Sequence, residues 1–410
     1  MGKDRWTPAI SRPPQRALIV GTCSTRIWGL PAGERLRRQL TRAGIGSLPD
    51  ESSTAIGADE RVLLVRCDYV FEEGMLRGLI DAPDTLVVVA DDTGKLIPVA
   101  AHAEGAAAGF ALELLRRPNM FRSEDGPTGL SPRGPEELVP TYNRFLRKRA
   151  QPYALRLTPE TRRAIEWRTF RSAYKGATDF VTKTLWPLPA FHVTRWCAAR
   201  KLTPNMVTTA SLVLCIVAGV LFGQGLFLAG CAVAWAMTFL DTVDGKLARC
   251  TLTSSDWGDT YDHGIDLLHP PVWWWAWWVG LAAAGIPRDQ PLLGALWVIL
   301  IGYVIGRIIE GTFRKMFGLS PHVWTRIDYR FRAVTARRNP NLALLTLGAV
   351  SGHPDQAFIA VAVWTVVSLL FHSVRWVQAA REWQEGRPLR SYLDRDDSLP
   401  TPDGSCSAKA

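Results

Sequence analysis

The segment Asp241-Thr-Val-Asp244-Gly245-Lys-Leu-Ala248-Arg249, followed after eight residues by Gly258 and then by Asp262 and Asp266, is the most informative part of this 410-residue chain. The acidic and small residues of its first part recur at intervals of three and four, which places them on one face of a helix. Gly258, Asp262 and Asp266 are four residues apart and share one face of the next helix. Because only a short loop joins the two helices, we predict antiparallel neighbours on which the four carboxylates converge.

Long apolar segments surround this motif. Six stretches are predicted to cross a bilayer, the fifth being the shortest, at about residues 204–222, 226–249, 258–284, 292–313, 342–350 and 357–377. Six crossings would place both termini on the same side of the membrane. The turns on the other side hold a single basic residue, Arg288, so the positive-inside rule makes the side of the termini cytoplasmic. We therefore expect a multi-pass protein of the cell (inner) membrane.

Carboxylates within membrane-spanning helices are costly and mark function. Four of them in one pocket repel each other unless cations neutralise their charge. Oxygen ligands at this density fit Mg²⁺ or Mn²⁺, as a pair of ions that bridges a diphosphate. Gly245, Ala248 and Gly258 lack bulk on the same faces, where a nucleotide could approach the backbone. This sharing of faces disfavours the alternative, in which the carboxylates only reach out to water.

The pattern D-x2-D-G-x2-A-R-x8-G-x3-D-x3-D is complete at residues 241–266, and through it the chain resembles the CDP-alcohol phosphatidyltransferase family over about residues 175–380. The resemblance implies a membrane transferase that moves a substituted phosphate group from a CDP-alcohol to an acceptor hydroxyl and releases CMP. The donor would be of the CDP-diacylglycerol or CDP-inositol type, and the acceptor a polyol or polyol phosphate. It also implies that two Mg²⁺ or Mn²⁺ ions are held by Asp241, Asp244, Asp262 and Asp266, and that Asp266 is the general base. The nucleotide would be surrounded by Gly245, Ala248, Arg249, Gly258 and Asn205.

Basic residues crowd the cytoplasmic ends of the fourth and fifth predicted spans. Arg307, Arg337 and Arg338 are candidates for binding an acceptor phosphate, because guanidinium groups bind phosphate in a bidentate manner. For any one of them, the ordinary basic flank of a membrane helix is the alternative. The stretch 330–341 resembles the branch of the family that makes inositol-phosphate compounds, including di-myo-inositol-phosphate-phosphate synthases. The five tryptophans between Trp273 and Trp278 are expected to face lipid or the membrane interface.

The amino-terminal half has a different composition. After a polar segment at 1–16, residues 17–116 alternate short apolar runs with helical spacing, which predicts a parallel α/β sheet. In the inositol-phosphate branch the transferase is often fused to a nucleotidyltransferase, and residues 17–116 resemble a reduced copy of such a Rossmann-like domain. Gly21 and Arg26 would occupy the place of its phosphate-binding loop, and Asp68 that of a metal-binding aspartate.

This loop departs from the nucleotidyltransferase pattern, because its second glycine is missing and the spacing to Arg26 is one residue too long. We therefore expect a degenerate, non-catalytic domain. An active domain would make the protein a bifunctional CTP:inositol-1-phosphate cytidylyltransferase and di-myo-inositol-phosphate-phosphate synthase.

The remaining segments complete the predicted architecture, an α-helical membrane protein of six transmembrane helices with an amino-terminal α/β domain. Residues 117–174 are expected to be a linker and a basic segment, and the basic, aromatic-rich stretch 141–201 is predicted to lie on the membrane interface rather than form a solvated surface. Residues 381–410 form a polar tail. The net charge of +10 is interpreted as a sign that the protein binds an anionic lipid bilayer, and no nucleic acid partner is expected.

The seven cysteines lack the spacing of zinc sites or of a disulfide framework.

Two further points concern function and assembly. A cation transporter that uses the four carboxylates as its ion site is a rival function. Gly245, Ala248 and Arg249 at fixed offsets disfavour it, because an ion path needs no nucleotide contact. A homodimer is compatible with the sequence.

Overall fold

The structure is a computed structural model that describes residues 14, 16–49, 56–121 and 129–395. The predicted polar segment at 1–16 and the last part of the predicted tail, 396–410, therefore lie almost entirely outside the described residues. The chain divides into two compact units. The first contains Met1–Asn143, Arg149–Ser172 and Cys250–Leu252, and the second contains Arg144–Lys148, Ala173–Arg249 and Thr253–Ala410. Each unit is described by itself.

A mixed β-sheet forms the centre of the first unit. The strands are β1 (Arg16–Val20), β2 (Arg26–Ile27), β3 (Leu30–Pro31), β4 (Arg61–Arg66), β5 (Tyr69–Phe71), β6 (Thr85–Ala90), β7 (Leu96–Glu104), β8 (Ser131–Arg133), β9 (Tyr142–Asn143), β10 (Lys148–Arg149) and β11 (Ala154–Arg156), of which β10 straddles the two units. Five of them form the main sheet in the order β1-β4-β7-β6-β8. The β1–β4 and β6–β8 pairs are parallel, whereas β7 is antiparallel to both β4 and β6.

The predicted all-parallel sheet is therefore wrong, and the reason lies in the connection between β6 and β7. Only residues 91–95 join these strands, and the Asp91 carboxylate accepts hydrogen bonds from the backbone N–H groups of Thr93 and Lys95. A parallel pair needs a crossover of a dozen or more residues, so a turn of this length makes an antiparallel hairpin.

Helices cover both faces of the sheet. On one face lie α1 (Ala32–Arg42) and α2 (Glu73–Ile80), and on the other lies α3 (Gly105–Arg116). The unit extends beyond residue 116, the predicted boundary, because β8 pairs with β6 and β11 pairs with β5. Part of the predicted linker therefore belongs to the sheet.

The basic stretch 141–201 is not one continuous helix. It contains α5 (Arg162–Ser172), α6 (Phe180–Thr184) and α7 (Pro187–Ala199), while the short α4 (Pro135–Leu138) precedes it. Helix α5 packs in the first unit, where the Trp28 indole N–H donates a 2.8 Å hydrogen bond to Thr169 Oγ1. The prediction of one helix across the whole stretch is therefore wrong, because the stretch is divided into three helices, while its position at the membrane interface stays a prediction.

Helices build the second unit. Besides α6 and α7 they are α8 (Pro204–Gly223), α9 (Phe227–Cys250), α10 (Asp256–Ala283), α11 (Gln290–Phe317), the short α12 (Arg326–Phe331), α13 (Arg338–Val350), α14 (Pro354–Gln384) and the short α15 (Tyr392–Arg395). Side-chain caps fix three of the starts, because Thr203, Ser255 and Asp289 accept backbone N–H groups of the first turns of α8, α10 and α11.

Each of the six predicted spans corresponds to a helix. Among the described residues, four helices are long and apolar enough to cross a membrane: α8, α9, α11 and α14. Helix α10 is long, but its amino-terminal half carries four aspartates. Helix α13 has 13 residues and thus a length of about 20 Å, short of the roughly 30 Å hydrocarbon core.

Tryptophans of α10 form much of the helical core. Trp273, Trp274 and Trp277 are almost fully buried, and the indole N–H of Trp273 donates a 2.9 Å hydrogen bond to the Cys215 carbonyl. The prediction that these residues face lipid or the interface is therefore wrong for three of the five. At Gly280 a Cβ atom would lie 1.7 Å from the Phe222 carbonyl oxygen, so a glycine is required where α10 crosses the end of α8.

Candidate active site

Three carboxylates meet where α9 and α10 face each other. Asp241, Asp262 and Asp266 each offer an oxygen atom, and these atoms all lie within 4.8 Å of one another. The start of α10 positions two of them, because the Ser255 hydroxyl accepts a 3.1 Å hydrogen bond from the Gly258 N–H and the helix then presents residues 262 and 266 on one face. The predicted convergence of the two helices is thus observed for three of the four aspartates.

The fourth carboxylate, Asp244, lies one turn along α9 and is 3% exposed. Its Oδ2 atom accepts a 2.6 Å hydrogen bond from the Thr208 hydroxyl of α8. Its Oδ1 atom is buried and has no hydrogen-bond partner among the described residues. A buried carboxylate oxygen without a donor, next to three converging carboxylates, is a position that a cation can fill. The donor set is all oxygen, so it fits Mg²⁺ or Mn²⁺.

Arg338 connects two of these carboxylates. Its Nη1 donates a 2.6 Å hydrogen bond to Asp266 Oδ1, and its Nη2 donates to Asp241 Oδ2. Arg338, at the first turn of α13, had been predicted to bind an acceptor phosphate, and the structure places it against the metal-ligand candidates. The side chain of Asp266 is 44% exposed, against 15% for Asp241, so Asp266 is the more accessible of the two.

The residues that are predicted to bind the nucleotide lie on α8, α9 and α10, on either side of the carboxylates. A Cβ atom at Gly258 would lie 3.0 Å from Asn205 Oδ1, which brings the start of α8 against the start of α10. A Cβ atom at Gly245 would lie 3.1 Å from a guanidinium nitrogen of Arg249, whose Nε donates to the Ala173 carbonyl. Ala248 is half-buried on the same helix. The small residues therefore keep side-chain bulk away from this end of the site.

The three candidate arginines for the acceptor line a single pocket. Arg307 of α11 and Arg337 and Arg338 at the start of α13 surround it together with Tyr303 and Asn341. Glu310 also lines this pocket and forms ion pairs with Arg337 and, at 3.5 Å, with Arg307. The structure thus brings together all three arginines, but two of them already form ion pairs with the same carboxylate, that of Glu310.

His322 completes the charge distribution around Glu310. Its Nε2 atom lies 3.2 Å from Glu310 Oε1. Burial holds the pKa of His322 well below its ordinary value, so that the imidazole is neutral near pH 7. The cations that balance Glu310 are therefore the two arginines.

Sequence reasoning missed three residues of the site. Thr208 and Tyr303 are ordinary polar residues of apolar helices, with no spacing signal. The Tyr303 hydroxyl donates a 2.9 Å hydrogen bond to the Leu267 carbonyl. In a regular helix this carbonyl would accept the N–H of residue 271, but residue 271 is a proline and has no N–H. The pair Pro270-Pro271 is the signal that could have predicted a donor there.

Lys175 is the third residue that the sequence did not reveal. Burial and the charges of Arg249 and Arg147 lower the pKa of its ammonium group, and the negative charges of Asp262 and Asp266 oppose that shift.

The candidates in the first unit have partners within that unit. Gly21 adopts a φ of +75° directly after β1, as expected of a glycine in a tight turn. The Arg26 guanidinium donates a 2.8 Å hydrogen bond to the Gly29 carbonyl. Asp68 forms a 2.6 Å ion pair with Arg66. Both side chains that were predicted to bind phosphate or metal are thus engaged by neighbouring residues.

Comparison with known proteins agrees with the motif. Residues 201–320 match the family model described as CDP-alcohol phosphatidyltransferase, and this segment contains the four aspartates. The match confirms the predicted family for residues 201–320 and agrees with the predicted activity, that of a membrane transferase that uses a CDP-alcohol together with divalent metal ions. It decides against the cation transporter. No curated protein matches the chain.

Three crystal structures of phosphatidylinositol phosphate synthase (PgsA1) from Mycobacterium tuberculosis are similar to this chain. The form with bound CDP-DAG is 20% identical, covers 45% of this chain and 91% of its own, and has a TM-score of 0.37. The complex with manganese and citrate is 18% identical, with coverage of 45% and 87% and a TM-score of 0.37. The apo form is 18% identical, with coverage of 45% and 93% and a TM-score of 0.36.

Proposed function

Because residues 201–320 form a CDP-alcohol phosphatidyltransferase domain, we propose that this chain transfers the substituted phosphate of a membrane-bound CDP-alcohol to a hydroxyl group of a phosphorylated polyol. The observation that carries this proposal is the position of Arg338, which contacts Asp241 and Asp266 and also lines the pocket of Arg307 and Arg337. A metal-dependent phosphate-transfer site and a cationic pocket are therefore adjacent.

The four aspartates are the residues that would hold the metal. Asp241, Asp262 and Asp266 offer converging oxygen atoms, and Asp244 offers a buried oxygen without a donor among the described residues. When bound there, two Mg²⁺ or Mn²⁺ ions would neutralise the diphosphate and the charge that develops on the departing CMP. Asn205, Gly245, Ala248, Arg249 and Gly258 would surround the cytidine nucleotide.

Asp266 is the residue best placed to accept the proton. Its side chain is the more exposed of the two carboxylates that Arg338 contacts, so an acceptor hydroxyl can approach it. The hydroxyl proton passes to the Asp266 carboxylate as the hydroxyl oxygen forms a bond to the β-phosphorus of the donor. The bond from that phosphorus to the bridging oxygen breaks, and CMP leaves with this oxygen and its electron pair.

An apolar groove supports a donor that carries hydrocarbon chains. It runs between α8 and α10 and begins beside the carboxylates, since its lining residues Tyr261 and Ile265 directly precede Asp262 and Asp266 in the sequence of α10. Its walls include Leu212, Ile216 and Val220 of α8 and Leu268 and Val272 of α10. Such a groove favours a donor of the CDP-diacylglycerol type over one of the water-soluble CDP-inositol type.

A six-span topology with both termini in the cytoplasm remains part of this proposal. The turns 224–226, 284–289 and 351–353 would lie on the outer side, and the carboxylate site would open toward the cytoplasm. Thiol labelling of single cysteines, introduced at Gln224 and at Ser254 in a cysteine-free chain, tests it. Labelling of both positions from the same side of sealed vesicles would reject this topology.

The amino-terminal domain is proposed to be non-catalytic. The ion pair of Asp68 with Arg66 and the hydrogen bond from Arg26 to the Gly29 carbonyl support this view. Full-length protein with the Asp241→Asn substitution, given CTP, Mg²⁺ and a panel of polyol phosphates, should release no pyrophosphate. Release with one polyol phosphate would instead make the protein a bifunctional cytidylyltransferase and phosphotransferase.

Product identification tests the proposed reaction. Purified protein would be given either CDP-diacylglycerol or CDP-inositol, Mg²⁺ and polyol phosphates of different ring and chain size, and the products analysed by mass spectrometry. We expect a phosphodiester lipid that retains the acceptor phosphate, formed together with CMP. A product from an unphosphorylated polyol only would reject the role of the arginine pocket, and a product from CDP-inositol only would reject the lipid donor.

A further inference from the structure

Two consecutive arginines at the start of α13 are held by different carboxylates. Arg337 forms an ion pair with Glu310 of α11, whereas Arg338 bridges Asp241 and Asp266. Both arginines also line the pocket between α11, α13 and α14. Arg338 therefore belongs both to the carboxylate group and to the wall of the pocket.

The charge of the pocket is too small for the proposed ligand while Arg338 is held by the aspartates. Among the residues that line the pocket, Arg307 and Arg337 share Glu310, and His322 beside Glu310 is neutral, so the lining without Arg338 carries one net positive charge; Arg332 is a further buried cation near Glu310 but does not line the pocket. A phosphate monoester carries a charge of roughly −1.5 to −2 at pH 7. Arg338 is the third arginine of the lining and can provide a further positive charge in direct contact with the ligand.

The carboxylates need Arg338 only until they bind metal. Asp241 and Asp266 each accept one hydrogen bond from its guanidinium group, through the same kind of oxygen atom that a divalent cation would use. Two divalent cations carry as much positive charge as the four aspartates carry negative charge. The attraction that holds Arg338 at the aspartates would therefore be lost when both ions are bound.

We propose that Arg338 alternates between two partners: it neutralises Asp241 and Asp266 until they bind divalent cations, and it then turns to the phosphate of the acceptor. The inference rests on the proposed function and assigns a regulation to the same site. Arg338 competes with the cations for two carboxylate oxygens, and once released it can bind phosphate in a bidentate manner. The acceptor site is thus completed only after the metal site is filled, which imposes an order of binding.

Metal affinity tests the first half of the proposal without any turnover. Mn²⁺ binding to the full-length protein in lipid nanodiscs would be measured from the electron paramagnetic resonance of free Mn²⁺. Arg338→Gln should bind Mn²⁺ about tenfold more tightly than wild type, because a competing unit charge at hydrogen-bond distance is removed. Arg338→Lys keeps the charge but cannot bridge both carboxylates, so its affinity should fall between the two. Arg381→Gln removes an exposed arginine at the end of α14 and should bind Mn²⁺ like wild type.

Equilibrium dialysis with inorganic phosphate tests the second half. Wild type should bind phosphate at least several-fold more tightly with saturating Mn²⁺ than without it, and Arg338→Gln should lose most of this gain. Unchanged or weaker Mn²⁺ binding in both Arg338 variants would overturn the competition. A Mn²⁺-dependent gain in phosphate binding that persists in Arg338→Gln would overturn the second role, since phosphate would then bind through the metal or the other arginines. If Arg338→Gln does not fold, Arg338→Lys serves for both comparisons.

The outcomes also separate this proposal from the proposed function. Normal CMP release with no effect of Arg338 on Mn²⁺ or phosphate binding rejects the alternation alone. Absence of CMP release with every donor and acceptor rejects the proposed function.

Discussion

The Thr208 hydroxyl donates a 2.6 Å hydrogen bond to Asp244 Oδ2, so that a residue of α8 orients a carboxylate of α9. The other oxygen of Asp244 is left for a cation. Loss of a partner that orients a metal ligand typically lowers metal affinity by about 10–100-fold. The candidate metal site therefore depends on three helices, although its aspartates come from two.

We expect Thr208→Val to weaken Mn²⁺ binding by about tenfold or more, because Asp244 loses the hydrogen bond that fixes its orientation. Titration of Mn²⁺ against intrinsic tryptophan fluorescence would measure the affinity. Thr208→Ser retains the hydroxyl and should bind like wild type. Equal affinities in the valine and serine variants would show that the hydrogen bond from Thr208 takes no part in holding the metal.

Asp266→Asn should separate binding from transfer. If Asp266 accepts the proton, its loss costs on the order of 10²–10⁴-fold in turnover, while affinity for the CDP-alcohol stays within a few-fold of wild type. Isothermal titration with a CDP-alcohol, beside an assay of CMP release, measures both quantities. A parallel loss of binding and turnover would make Asp266 a metal ligand only, and another group would have to accept the proton.

Asp179 couples the start of α6 to α13. Its carboxylate caps α6 by accepting the Thr182 N–H at 3.0 Å, and it also accepts a 3.0 Å hydrogen bond from the Asn339 side chain. Burial alone would raise the pKa of Asp179, but these hydrogen bonds outweigh it and the pKa is lowered. The carboxylate thus stabilises the fold above its unfolded pKa of about 3.9, and this contribution is lost as the pH falls further, through the lowered pKa of the folded state.

Asp179→Ala should lower the free energy of unfolding near pH 7 by about 1–2 kcal/mol, because the cap is removed and Asn339 loses a partner. Thermal unfolding followed by tryptophan fluorescence would detect the change. Asp179→Asn keeps a capping side chain and should be much closer to wild type. The difference between wild type and the alanine variant should shrink as the pH is lowered toward 3. A difference that does not depend on pH would contradict the role of the ionised carboxylate.

The second unit could be predicted from the sequence in more detail than the first. The i, i+3, i+4 spacing around Asp241 and the long apolar runs are local signals, so the helices begin and end within a few residues of the predicted positions for α8, α9 and α10. The all-parallel sheet was wrong because strand direction depends on pairing partners. An apolar run such as β7 has the same pattern in either direction.

Within the site, sequence reasoning predicted which residues matter but not how they pair. The acidic motif and the arginines were identified by charge in an apolar context. The contact of Arg338 with Asp241 joins residues 97 positions apart, and no local spacing predicts it. The same holds for Thr208, which is separated from Asp244 by 36 positions. Burial of Trp273 was missed because an apolar residue on a membrane helix suits lipid and protein equally well.

The central claim is a metal-dependent transfer centred on the aspartates of α9 and α10, and CMP release by matched aspartate variants tests it most directly. Wild type, Asp241→Asn, Asp262→Asn and Asp259→Asn would be assayed with CDP-diacylglycerol, a polyol phosphate and Mn²⁺. Asp259 is an exposed acid of α10 outside the carboxylate group, so its variant controls for loss of charge on that helix. We predict near-complete loss of CMP release for Asp241→Asn and Asp262→Asn, with wild-type melting temperatures, and wild-type activity for Asp259→Asn. Most of the wild-type activity in Asp241→Asn or Asp262→Asn would contradict the account.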